Sequence, residues 1–180
     1  MHGRLPAEER KMLETEDLIL DKAEFTDWEA MYQNVWSHPE CARYMLWNLT
    51  ESEDAAKERI LRTIEFQKDH DGYLVYEKAS GSPIGFAGVR QASDGVWEET
   101  GICLGPAYQH KGYGKQILLC LMGYCRDCLH AHRFLYSTRA ENLASCALAR
   151  SLGFALVDTE EKTDPRTGKA YILEQYRITL

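Results

Sequence analysis

The sequence has no apolar run approaching the roughly 20 residues of a membrane-spanning helix, and its opening stretch, Met1 to Met12, is polar and charged. Neither a secretory signal nor a membrane anchor is expected there. Positive charge is also in short supply, with 21 Lys and Arg against 28 Asp and Glu and a formal net charge of −7. That balance argues against a protein that neutralises nucleic-acid phosphates and mildly favours a cationic or amine-bearing partner. Internal repeats, low-complexity segments and linkers are absent, so one domain is expected over residues 1–180. A second Cys-x-x-Cys is missing as well. Cys125-x-x-Cys128, with His130 and His132 nearby, continues an apolar helical face, and no metal site is expected. Five of the six cysteines (Cys41, Cys103, Cys120, Cys125, Cys128, Cys146) lie in apolar stretches, as small buried hydrophobes do in a reducing compartment, which points to the cytoplasm.

What is present reads as alternating short elements. Leu18 to Leu20 is a strand, and Thr26 with Glu29 has the form of a capping box. Behind it Trp28, Met31, Tyr32, Val35 and Trp36 share one helical face until His38 and Pro39 end the pattern. Thr50 to Glu53 opens a second helix that carries Ala56, Ile60 and Ile64 inward. From residue 73 the period changes to that of strands, over Tyr73 to Tyr76, Ile84 to Val89 and Val96 to Leu104, with turn signals between them. A third helix over Ile117 to Cys128, a strand at Phe134 to Thr138 and a fourth helix over Asn142 to Leu152 follow. Two strands, around Phe154 to Val157 and Ala170 to Ile178, close the chain.

The segment most informative for chemistry is Gln109-His110-Lys111-Gly112-Tyr113-Gly114-Lys115, between a strand and a helix. Its glycines let the backbone curl closely around a ligand, and the free N–H groups of a helix's first turn favour an anion such as a pyrophosphate. Gln116 stands where a P-loop needs Ser or Thr, and Ile117 where a dinucleotide fingerprint needs Gly. A plain glycine turn is the alternative reading of this segment taken alone.

Gln109-x-x-Gly112-x-Gly114 resembles the acyl-CoA pyrophosphate signature of the GNAT acetyltransferases. Asn142-x-x-Ser145 followed by Gly153-Phe154, together with Arg43-Tyr44-Met45, Trp47 and Glu99-Thr100-Gly101-Ile102, is similar to the branch that includes the RimJ and RimL ribosomal-protein acetyltransferases. The resemblance runs from Leu18 to the end of the chain. It implies an α+β fold with a twisted, mostly antiparallel sheet of six or seven strands, splayed at its centre, and about four flanking helices. It also implies acetyl-CoA as donor, with no metal, and direct transfer to an amine.

Carried onto this sequence, the resemblance has the strand at Ile102, Cys103 and Leu104 diverge from its parallel neighbour and offer backbone groups to the pantetheine arm. Gln109 to Gly114 then hold the pyrophosphate, with His110, Lys111 and Lys115 toward the adenosine end and Asn142 facing the arm. Glu99 is the candidate base and Ser145 the candidate acid. Glu99 also reads as a solvated strand carboxylate, and Ser145 as a residue that serves only the helix cap of Asn142. Tyr44 and Trp47 are candidate walls of the acceptor pocket, whereas Trp28 reads as core. The acceptor stays open between a protein N-terminus, a polyamine, an amino acid and an antibiotic, as does a homodimer. The rival from another class is an acyl-CoA-binding sensor without turnover.

Overall fold

Eight strands form one sheet in the order β1-β2-β3-β4-β5-β6-β8-β7 in the computed structural model, which describes residues 12–180. They are β1 (Leu13–Glu14), β2 (Leu18–Asp21), β3 (Asp71–Glu77), β4 (Pro83–Ser93), β5 (Val96–Leu104), β6 (Arg133–Arg139), β7 (Ala155–Thr163) and β8 (Ala170–Thr179). Every pairing is antiparallel except β5 with β6. The helices are α1 (Trp28–Met31), α2 (Pro39–Ala42), α3 (Glu53–Asp69), α4 (Tyr113–Leu129) and α5 (Leu143–Ser151). This is the expected mixed architecture, with β1 and the single turn α2 added to the elements read from sequence. The reading of the opening stretch as neither signal nor anchor concerns residues 1–11 and lies outside the described residues. Among the described residues, no helix is long and apolar enough to cross a membrane.

Strand alternation sorts the apolar side chains into two buried layers. Tyr73 and Val75 enter a cluster with Ile117, Leu118 and Leu121 of α4, Phe134 and Tyr136 of β6, and Cys146 and Ala149 of α5. Leu74, between them in sequence, joins the opposite cluster with Met31, Val35, Trp36, Cys41, Ala56 and Ile60. The sheet therefore separates α4 and α5 from α1, α2 and α3.

Two helix starts differ from the sequence reading. The first helical segment begins with a 3-10 turn at Phe25–Asp27, where Asp27 accepts the Glu24 N–H at 2.7 Å, so Glu24 and Asp27 make the box expected of Thr26 and Glu29. Beyond α1 the winding widens to a π turn over Tyr32–Trp36, and the Ser37 N–H reaches back to the Tyr32 carbonyl. Helix α3 is capped by Ser52, whose hydroxyl accepts the Ala55 N–H at 3.2 Å. Thr50 is buried instead and takes a hydrogen bond from Arg59, which removes it from the cap. Thr50 and Ser52 are both competent N-caps; tertiary burial selects between them.

Candidate active site

The parallel ladder between β5 and β6 is short. It pairs Val96 with Arg133, Trp97 with Phe134 and Glu98 with Leu135, and goes no further. Beyond Glu98 the two strands keep their outer partners, β4 and β8, so their facing edges part into a fork. A bulge at the fork helps to turn β5, since Gly88 faces Gly101 and Val89 faces Glu99, which leaves Thr100 unpaired. Gly101 adopts φ +136°, a conformation that side-chain-bearing residues rarely take.

Glu99 sits where the strands part. Burial pushes its carboxyl up to about 8, helped by the charge of Glu98 and opposed by backbone N–H groups of Gly101 and Ile102 on β5 and Ser137 on β6. Contributions from both strands place the carboxyl between them. Glu98 turns the other way and pairs with Arg90, as alternation requires. Next to Glu99 lies Tyr136 of β6, buried, its phenol raised by burial and by the charge of Glu99 against a hydrogen bond from Ser145. Glu99, Tyr136 and Ser145 thus lie together on β5, β6 and α5, the last two joined by a hydrogen bond and Glu99 acting on the phenol through its charge.

Ser145 is half-buried on the first turn of α5, and its N–H donates to the Asn142 side-chain oxygen at 3.3 Å. Asn142 is therefore the N-cap of α5. That satisfies its carbonyl oxygen and leaves its amide N–H groups for another partner.

The glycine loop leads from the end of β5 into α4. Gln109 donates from its side chain to the Leu104 carbonyl at 3.0 Å, tying the loop to the strand end. Gly112 is the N-cap at φ +80°, and nothing lies within 4 Å of where a Cβ would be. Among the described residues, the N–H groups from Lys111 to Lys115 have no hydrogen-bond acceptor, the usual condition of a helix start before an anion arrives. His110 and Lys115 are exposed. Lys111 and Tyr113 instead reach Glu77 of β3, at 3.7 and 2.8 Å, which fastens the helix start to the sheet. The tyrosine hydroxyl is pushed up to about 12 by that bond. The loop fits a pyrophosphate through its backbone, with the exposed side chains of His110 and Lys115 beside it.

On the opposite side of the sheet, a cleft of about 630 Å³ opens between α3, the 47–50 segment and the bulge of β5. Trp36, Trp47, Arg59, Phe86, Thr100 and Gly101 are among its walls. Trp47 and Phe86 meet edge to face with centroids 6.4 Å apart. The cleft thus touches the same bulge that starts the fork.

A GNAT acetyltransferase domain model matches residues 17–155. The chain belongs to the GNAT acetyltransferase family. Solved structures agree on the fold. A GNAT-family acetyltransferase from Bacillus anthracis superposes with TM-score 0.80 at 19% identity, covering 94% of this chain and 98% of that one. A GCN5-related N-acetyltransferase from Brucella melitensis gives 0.82 at 18%, over 95% and 79%. A Salmonella typhimurium acetyltransferase, described as modifying the N-terminal serine of ribosomal protein L7/L12, gives 0.76 at 19%, over 94% and 99%. No curated protein is a significant sequence match for the chain.

As a GNAT enzyme the chain is an acetyl-CoA-dependent N-acetyltransferase, and most residues singled out from sequence fall around one locus. Ile102 and Leu104 pack toward the α4 layer, while Cys103 is buried in the opposite layer near Cys41. Tyr44 is the exception among the acceptor candidates. It is not among the cleft-lining residues, because α2 ends at Ala42 and the ring lies beside its neighbour Arg43, 5.2 Å from centroid to guanidinium. Trp28 packs at the edge of the core, as read. Cys125 is buried and Cys128 exposed, so their thiols do not share a surface.

Three contributors escaped the sequence reading. Tyr136 looks like any core aromatic of a strand; only the packing of α5 over β6 gives it polar neighbours. Arg59 lies on a helix whose exposed charges disguise it. Arg166, in the turn between β7 and β8, donates to the carbonyls of Ala42 and Trp47 at 3.0 and 2.9 Å across more than a hundred residues. The bulge did leave a signal, a lone glycine inside a strand.

Proposed function

We propose that this acetyltransferase acetylates an α-amine, at the N-terminus of a peptide or protein or on a small molecule, with Glu99 as base and Ser145 as proton donor. The observation that carries the reading is the Glu99 carboxyl between the diverging strands, with a pKa of about 8. A base of that strength matches an α-ammonium, whose pKa is about 8, so the proton moves on nearly level ground. A lysine ammonium near 10.4 would give it up uphill by about 2.4 units. The Salmonella protein of the same fold is described as acting on an N-terminal serine, which supports this choice of acceptor.

Acetyl-CoA supplies the acetyl group as a thioester. In this reading Ile102, Cys103 and Leu104 orient the pantetheine arm through backbone groups at the fork. Gln109 to Lys115 bind the diphosphate through the free N–H groups of α4, and Asn142 presents its amide to the arm. The amine enters from the cleft beside Thr100 and Gly101 and forms its bond to the acetyl carbon while the carbon–sulfur bond breaks. Glu99 receives the amine proton, and the Ser145 hydroxyl turns from Tyr136 to the departing sulfur, gives it the proton and regains one from solvent.

The test is a matched pair of peptides, one with a free N-terminus and blocked lysines, the other with a blocked N-terminus and one free lysine. The expected kcat/KM ratio is about 100 or more in favour of the N-terminus, from the pKa difference. Equal rates, or a preference for lysine or spermidine, would overturn the acceptor assignment.

A further inference from the structure

Among the described residues, the walls of the acceptor cleft carry two guanidinium groups, from Arg59 and Arg62, and no carboxylate. This is opposite in sign to the molecule as a whole, which has seven more acidic than basic residues. Arg59 is the sharper anomaly. Its guanidinium lies 4.3 Å from the ring centroid of Trp47 and 4.7 Å from that of Trp36. One nitrogen donates to the Thr50 hydroxyl at 3.0 Å, which leaves most of a five-donor fork unused.

Removing a cation from water is unfavourable unless an anion or a set of acceptors receives it. The chain follows this rule elsewhere: buried Arg139 and the sheltered Arg166 both pair with buried Asp164 at 2.8 Å. Arg59 is half-buried, and among the described residues no carboxylate lies within ion-pair distance of it. Burial accordingly lowers its pKa, to about 10. Both indole rings lie within cation–π distance of the guanidinium and hold it in the cleft wall. Arg62 stands one helical turn further along α3, and its partner Glu58 is 3.7 Å away on the exposed side.

We infer that the acceptor carries a carboxylate as well as its amine, and that Arg59, seconded by Arg62, binds that carboxylate and sets specificity. The inference rests on the acetyltransferase reading and narrows its acceptor to an acidic amine. The carboxylate belongs either to a free amino acid or to an acidic side chain near a peptide N-terminus. The guanidinium edge forms two parallel hydrogen bonds to such a group, while the amine lies toward Thr100 and Gly101.

Two comparisons test this on the intact enzyme. In the first, kcat/KM is measured for Ser-Asp and Ser-Asn peptides, otherwise identical and amidated, and for an amino acid against its amide. Wild type favours the charged member of at least one pair by ~10-fold or more, the usual scale of a charge-assisted pair. The pair that shows the effect identifies the source. Arg59→Gln brings that ratio close to 1 and Arg59→Lys leaves part of it. Ratios near 1 in wild type, or a ratio unmoved in Arg59→Gln, overturn the proposal.

The second comparison needs neither turnover nor a variant. Tryptophan fluorescence of the wild type with CoA present is titrated with N-acetyl-aspartate and with N-acetyl-asparaginamide, which carries no carboxylate. Saturable quenching by the first alone is expected, because Trp36 and Trp47 flank the guanidinium. Binding without acetylation of any amine would leave the carboxylate site standing and remove the acetyl-transfer reading. Acetylation with no charge preference and no binding would do the reverse.

Discussion

Gly112 holds φ +80° at the start of α4, in open space. A valine there meets no clash within the protein, but it pays about 1–2 kcal/mol for a left-handed conformation and projects into the surface where an anion would sit. Gly112→Val is therefore expected to weaken acetyl-CoA binding by ~10-fold or more in calorimetry, with a thermal transition close to wild type. Unchanged affinity in the folded variant would remove the pyrophosphate assignment. Gly114 is less demanding, since a Cβ there meets Leu148 at an ordinary 3.7 Å. At this scale the sequence was most legible where a residue type has one physical use, such as glycine at a positive φ. It was least legible for Tyr136 and Arg59, whose roles come from neighbours supplied by other elements.

Among the elements, the turn between β7 and β8 acts on the acceptor side at a distance. Asp164 is buried there between Arg139 and Arg166, and those two guanidinium groups hold its carboxyl well below the usual carboxylate range. Arg166 spends its remaining donors on the carbonyls of Ala42 and Trp47. The turn thereby fixes the segment whose indole walls the cleft. Arg166→Ala is expected to raise KM for the acceptor by about 10-fold, the scale of lost charge-assisted hydrogen bonds. The affinity for acetyl-CoA, whose proposed site is on the other side of the sheet, should stay within about twofold, since sites without shared partners behave independently. A variant that loses both affinities equally would make the turn a general stability element. Because Asp164 is depressed, the latch is fully present above the ordinary carboxylate pKa and is lost only as pH falls through its own lower value. No loosening of the latch is expected across the neutral range. Helix periods and strand alternation were legible in the sequence, whereas the two displaced caps and this latch were not, because they depend on which of several competent polar residues packing leaves exposed.

Over the whole molecule, one sheet carries both proposed substrate sites. Its outer strands pair fully, and its single parallel junction opens after three residue pairs, so the fork is a consequence of topology rather than of any one side chain. The GNAT motifs made this architecture legible in outline, and the order of strand, glycine loop and helix read from sequence is that of β5, the loop and α4. Of the cleft only Trp47 was legible as a wall, since the others come from the π turn at Trp36, from α3, from β3 and β4, and from the bulge of β5. The most direct test of the central claim, that Glu99 is the base at the fork, uses a weakly basic amine with a pKa below about 6. Such an amine stays neutral across the range, so any limb near 8 belongs to the enzyme. Because the carboxyl is raised to about 8, the base form gains ground as pH rises. Wild-type kcat/KM should climb about tenfold per pH unit below 8 and level above it. Glu99→Gln should be flat with pH and lower by ~100-fold or more at pH 9, the usual scale of a lost general base. A variant that keeps the wild-type limb and rate would contradict the account.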